Sequence, residues 1–499
     1  VSNNRGPGLN PDIKAYPFQL DGARTLARSK NHILAYEMGL GKSLTTILAA
    51  DTLDAINILV LCQSVGKTHW RNEFMRWQSA FRSVGLMHGY SQPAPPTNVV
   101  VCNYDIVSRS TSPAFKSLLT RSWDVLVLDE GQALQSLDSK RTKAVYGPGA
   151  LRLKGLATRC ERVWVLSGTP APSHAGQLYP HLRALAPHTI LNAQGHPMTE
   201  PQFIDSFCTW KDTIFGRHIT GSKNIDQLRD RIGGFVTRLR KKDVLDDLPP
   251  LSVDTVVVHP EDAKIDPKIL DQLKAADKAV LENLEFTAAV LEDADSGDED
   301  QQRTALAMLS TLRTDAHLAT QRRIAGIVKA TIAVEMVSQE LRDNPSRKII
   351  LFAWHHDAIN ILVEGLQGFG TVRVDGRDSD KDKDFAVRAF QSNQHVRVFV
   401  GQLQAAGTSI TLTAASDVLL VEADWVPSTN LQAICRAHRI GQKDGVLARF
   451  LTLEGSVDRY LMNILARKTK QLAHLIDNQK PSNGGGATGD GTFPEIVET

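Results

Sequence analysis

Four short stretches carry residue types at spacings suited to phosphate chemistry. In AYEMGLGKSLTT (Ala35–Thr46), Gly39 and Gly41 let the backbone approach a phosphate with no Cβ in the way. Lys42 offers a point charge for β- and γ-phosphates, and Ser43 a hydroxyl for Mg²⁺. Met38, Leu40 and Leu44 complete the loop before a helical stretch, whose first N–H groups and dipole favour an anion. The first glycine of the usual phosphate loop is replaced by Tyr36, so a plain glycine turn capping a helix stays open as the alternative. VLVLDEGQ ends an apolar run with Asp129 and Glu130. The first acid suits a metal's water shell and the second an attacking water, with Gln132 close behind. An acidic pair facing solvent is the plainer reading. LSGTPAPS places Ser167, Gly168 and Thr169 after the next run, where small hydroxyl residues could sense the acids. In NLQAICRAHRIGQ, helical spacing would put Gln432 and Arg436 on one face, with Arg439 three residues on. Such arginines suit a transferring γ-phosphate or a phosphate backbone, and spacing alone leaves both open.

The elements that must position these residues are short apolar runs separated by helical patterns. NILVLCQ, DVLVLDE, RVWVLSGT, KIILFAW, VRVFVGQ and DVLLVEADW read as buried parallel strands. In such sheets ligands bind beyond the carboxyl ends of the strands. The runs form two groups, one before Pro250 and one from Arg347. We therefore expect an α/β fold with lobe one over 1–250, a helical insertion with an acidic loop over 251–345, lobe two over 346–478 and a flexible tail over 479–499. A chain of 499 residues exceeds one core. A net charge of +2 requires any nucleic-acid partner to meet local basic patches. Five cysteines without a C-x-x-C pair suggest neither a zinc site nor a disulfide framework. No run suggests a membrane span or signal-peptide core, and His355 and His356 are expected to be satisfied by backbone. Trp70 and Trp77 are expected in the core, and Glu422 and Asp424 are read as structural.

Taken in order, the motifs resemble those of the Swi/Snf-type ATPases of helicase superfamily two, closest to the annealing-helicase (HepA-related) branch. YPFQLDGA resembles the adenine-reading segment with Gln19 in the glutamine position. EMGLGKS resembles motif I, where this family does not require the first glycine. DEGQ stands for D-E-A-H, LSGTPAPS for motif III and AAGTSITLTAASDVLL for motif V, while RAHRIGQ carries motif VI. The resemblance implies two RecA-like lobes, ATP and Mg²⁺ as cofactors, and double-stranded or branched DNA as partner for a monomeric motor. It implies metal ligation by Ser43 and Asp129, and coupling through Ser167, Gly168, Thr169 and Gln432. Arg436 and Arg439 become arginine fingers reaching from lobe two to lobe one. Departures are Gln132 for His, Ser43 for Thr, Ser409 and Thr411 in motif V, and Val426 in the W-N-P lead-in. Expected DNA contacts are Lys67, Trp70, Arg71, Asn103, Tyr104, Arg238, Lys241, Thr408 and Ser409. For each basic one, a solvated charged face competes. A bacterial or phage protein acting in the cytoplasm is expected. The rival functions are a strand-separating or RNA-directed helicase and a non-hydrolysing DNA-binding scaffold.

Overall fold

The structure, a computed structural model, describes residues 15–64, 66–147, 155–171, 174–213, 216–245, 248–273, 316–403, 410–458, 461–462 and 465. The chain divides into two compact units that part between Asp247 and Leu248.

The first unit is built on a parallel sheet of β1 (Asn31–Tyr36), β2 (Ile58–Cys62), β3 (Val84–Leu86), β4 (Val99–Asn103), β5 (Trp123–Asp129), β6 (Cys160–Leu166) and, after a separate antiparallel hairpin of β7 (Cys208–Thr213) and β8 (Gly216–Ser222), β9 (Val236–Leu239). Its order is β3-β4-β2-β5-β6-β1-β9. Ile58 to Cys62 and Val125 to Leu128 are all 0 % exposed, because both faces of a parallel sheet are covered. Continuous apolar runs in place of alternation follow from that burial.

Register fixes what lies at the carboxyl edge. Asp129 pairs with Leu166, Leu34 with Leu166 and Tyr36 with Leu239, so the loops after β5, β6, β1 and β9 are neighbours. Helix α1 (Pro17–Arg28) packs on α2 (Lys42–Thr52), and α3 (Gly66–Trp77) lies beside α2. Tyr36 explains the missing glycine. It ends β1, is buried, and donates its hydroxyl to the Phe18 carbonyl at 3.0 Å. Gly22 makes room for it: a Cβ there would lie 2.3 Å from the Tyr36 hydroxyl. Burial pushes that phenol up to about 12.

The second unit has a parallel sheet of β10 (Leu251–Val258), β11 (Ile349–Ala353), β12 (Thr371–Val374), β13 (Val398–Gln402), β14 (Asp417–Leu420) and β15 (Val446–Leu453), ordered β10-β15-β14-β11-β13-β12. This corrects the expected boundaries. Residues 251–258 form no helical insertion; they are an edge strand paired with β15 along its whole length. The helix Ala316–Asp343 is likewise part of this unit's core, burying Val328, Ala333 and Val337. The acidic loop around 293–302 and the tail lie outside the described residues.

Candidate nucleotide site

Gly39 and Gly41 take left-handed φ of 89° and 76°, open to glycine at little cost. Gly41 also leaves space for Gln19, since a Cβ there would sit 2.4 Å from the Gln19 Nε2. Gln19 is buried and braces the loop: its Nε2 donates to the Leu40 carbonyl at 3.1 Å, and its Oε1 accepts from the Tyr16 N–H at 3.0 Å. Lys42 donates to the Tyr36 carbonyl at 3.0 Å, holding the ammonium over the loop. Met38, Leu40 and Leu44 are buried and anchor the loop to the unit. Met38 packs on Gly168, where a Cβ would approach the Met38 side chain to 2.9 Å.

At the end of β5 the Asp129 carboxylate has a donor on each oxygen. Trp70 Nε1 donates to Oδ2 at 2.8 Å and the Glu130 N–H to Oδ1 at 3.1 Å. Burial, then the charge of Glu130, pushes Asp129 up to about 6; the Trp70 bond and Lys42 pull the other way. Glu130 sits at φ 51°, a left-handed conformation that costs a non-glycine residue on the order of 1–3 kcal/mol. Side chains around it hold that geometry. Gln132 Nε2 donates to Glu130 Oε2 at 2.6 Å, Ser167 Oγ donates to Gln132 Oε1 at 2.7 Å, and the Thr169 N–H donates to Ser167 Oγ at 3.0 Å. The loops after β5 and β6 are thus one hydrogen-bonded chain, and the amide of Gln132 both donates and accepts within it.

Three supports lie far away in sequence. Tyr104 donates its hydroxyl to the Asp129 carbonyl at 2.8 Å. His181 bonds the Gly131 carbonyl through Nε2 at 3.1 Å and Tyr146 through Nδ1 at 2.7 Å. Burial holds His181 down to about 4, so it is neutral, with Nε2 donating and Nδ1 accepting. His69 brings Nε2 to 3.5 Å from Ser43 Oγ. No local pattern marks these partners; the one available signal is a tryptophan on the helix that follows β2.

The donors fit a magnesium nucleotide. A loop of left-handed glycines with a lysine suits phosphate, and a half-buried carboxylate whose charge is disfavoured gains from a cation. Among the described residues no group of three or more His, Cys, Asp or Glu forms a metal cluster. Ser43 and Asp129 carry oxygens of the kind that could hold Mg²⁺ beside a bound phosphate.

Most of the expected DNA contacts are used internally, which corrects that reading. Lys67 is buried and donates to the Met87 carbonyl at 3.1 Å. Asn103 and Tyr104 are buried, as is Trp70. Arg238 donates to the carbonyls of Ala35 at 3.0 Å and Gly168 at 2.9 Å, tying β9 to the phosphate loop and to motif III. Lys241 is buried, and its N–H donates to Glu37 Oε2 at 2.8 Å. Burial of lysine and arginine stems with their heads on carbonyls is invisible to a count of charges. Arg71 is exposed on α3. Thr408 and Ser409 lie outside the described residues.

In the second unit, Gln432 is buried on the helix Pro427–Ile434. That helix ends before Arg436, so the expected shared helical face does not form. A turn instead aims both Arg436 and Arg439 at one acceptor, the Ile410 carbonyl, at 3.5 and 3.1 Å. Gln442 stabilises the turn by donating to the Ala415 and Ala437 carbonyls at 2.8 and 3.2 Å. Glu422 accepts from the N–H groups of Trp354 and His355 at 2.8 and 2.9 Å, and from His355 Nδ1 at 2.7 Å. His355 is therefore held by a carboxylate, where backbone was expected. No helix among the described residues is long and apolar enough to cross a membrane.

Comparison with known proteins identifies the two domains. Residues 18–315 match the SNF2-related domain, and residues 332–441 the helicase conserved C-terminal domain. The SWI/SNF-related matrix-associated actin-dependent regulator of chromatin subfamily A-like protein 1 of Xenopus tropicalis is 28% identical over 91% of this chain and 44% of its own length. Its Caenorhabditis elegans homolog is 27% identical over 94% of this chain and 63% of its own length. The DNA annealing helicase and endonuclease ZRANB3 of Bos taurus is 25% identical over 94% of this chain and 41% of its own length. The chain thus spans about half the length of these curated relatives. The Sulfolobus solfataricus SWI2/SNF2 ATPase core in complex with dsDNA aligns over 96% of this chain and 95% of its own, with 20% identity and a TM-score of 0.42. With its first domain match covering more than half of the residues, the chain belongs to the SNF2-related family and pairs that domain with a helicase C-terminal domain.

Proposed function

We propose that this protein hydrolyses ATP in response to DNA and uses the cycle to move along duplex DNA, remodelling DNA or protein–DNA complexes. The observation that carries this is the chain Glu130–Gln132–Ser167–Thr169, which fixes the residue placed to orient water and links it to the next loop. The family, and the DNA annealing helicase among the relatives, support DNA as the substrate.

In this reading the loop N–H groups and Lys42 bind the β- and γ-phosphates. Ser43 and Asp129 hold Mg²⁺, which when bound neutralises charge on those oxygens. Glu130 orients the attacking water, its carboxylate aimed by Gln132. Arg436 and Arg439 supply cationic charge to the γ-phosphate during turnover. Ser167 and Thr169 report the state of Glu130 to the rest of the first unit. A translocase grips phosphates, since base contacts would make stepping depend on sequence. We further propose that the motor acts as a monomer.

The test is an ATPase assay comparing duplex, forked and single-stranded DNA with RNA. Duplex or forked DNA is expected to stimulate, less so as salt rises, and Lys42→Ala is expected to abolish turnover. Indifference to every nucleic acid, or turnover unchanged in Lys42→Ala, overturns the proposal; stimulation by RNA alone would favour an RNA-directed helicase instead.

A further inference from the structure

Helix α3 brings two consecutive side chains to the two proposed metal ligands, which lie far apart in sequence. Trp70 bonds Asp129 Oδ2 at 2.8 Å, and His69 Nε2 stands 3.5 Å from Ser43 Oγ. Trp70 is fully buried and fixes the helix in place, so His69 is carried to Ser43 by the same anchor. We infer that His69 is a positioning residue for Ser43, setting how strongly Mg²⁺ tightens nucleotide binding. This rests on the assignment of the loop as a nucleotide site.

The chemistry is that of a hydroxyl beside a dication. When Ser43 Oγ gives a lone pair to the metal, its O–H becomes a stronger donor and needs an acceptor pointing away from the cation. Imidazole Nε2 is such an acceptor, and a shift of a few tenths of an ångström brings it into normal hydrogen-bond range. The bond strengthens when the metal binds, so its contribution appears in the metal-dependent part of nucleotide affinity. Partners of metal ligands characteristically set affinity by about 10–100-fold. The contact is on the Ser43 side, whereas Asp129 is held by Trp70 and by the Glu130 N–H.

The experiment titrates the full chain with a fluorescent ATP analogue, in Mg²⁺ and in EDTA, for wild type, His69→Ala and His69→Gln. The ratio of the two affinities measures the metal's contribution without reference to hydrolysis. His69→Ala is expected to cut that ratio about tenfold, with affinity in EDTA unchanged. His69→Gln, whose amide oxygen can accept, is expected to recover most of it. A ratio in His69→Ala equal to wild type, or equal losses with and without metal, overturns the inference while leaving the nucleotide site standing. Failure of the wild type to bind the analogue at all overturns the site itself.

Discussion

Asp129 closes β5 of the first sheet and Glu422 lies just past β14 of the second, and their surroundings treat them oppositely. Asp129 in the first unit is pushed up to about 6 by burial and by Glu130. Glu422 in the second unit is the more deeply buried, yet His355, Lys329 and two backbone N–H groups hold it below the usual carboxylate range. A carboxylate with lowered pKa adds stability above its unfolded value and loses it as pH falls through the folded one. A carboxylate with raised pKa does the reverse, adding stability only in its neutral form. At neutral pH the Asp129 charge therefore works against the empty fold. Glu422 is committed to holding its lobe together. Asp129 is charged at neutral pH against its surroundings, which is what the proposed role as a Mg²⁺ ligand would use.

The largest expected effect comes from removing the satisfied member. Glu422→Ala strands three donors, the N–H groups of Trp354 and His355 and the His355 ring, so the second unit should lose about 3–5 kcal/mol in denaturant unfolding. A loss below 1 kcal/mol would erase the contrast. Next in size, residue for residue, is an acid-dependent loss from each of two buried histidines. His32 and His181 are each held down to about 4 from 6.5, so the unfolded chain binds their protons first. Stability of the first unit should be level above pH 6.5 and fall between 6.5 and 4, by about 3 kcal/mol per histidine. Phenylalanine at His32 should remove its share of that slope in a pH series of melting curves. Asp129→Asn should then stabilise the nucleotide-free protein by about 1–3 kcal/mol, the opposite sign to Glu422→Ala. A destabilised Asn variant would place Asp129 in the same class as Glu422. Smallest is Tyr146→Phe, which removes one bond to His181 and should cost about 0.5–1.5 kcal/mol.

The contrast also shows how far the sequence could be read. The loop at 39–43, the Asp129–Glu130 pair and Ser167–Thr169 were legible because each motif is contiguous and each follows a strand. The six apolar runs named from the sequence correspond to β2, β5, β6, β11, β13 and β14. What was not legible depends on distance along the chain. Trp70 meets Asp129 across 59 residues, and His181 meets Gly131 across 50. The strand β10 follows the first lobe directly but pairs with β15. Its hydrophobic pattern identifies a strand without naming a partner. The basic residues Lys67, Arg238 and Lys241 read as surface because charge is a poor guide once a carbonyl or carboxylate waits inside. The turn at Arg436 was masked by a helical periodicity that continues past the true helix end.

The most direct test of the central claim is to measure nucleotide affinity and single-turnover ATP hydrolysis side by side for wild type and Glu130→Gln. The account predicts affinity within about threefold of wild type and hydrolysis slowed at least about 100-fold. Hydrolysis at the wild-type rate, or affinity lost in step with hydrolysis, would contradict it.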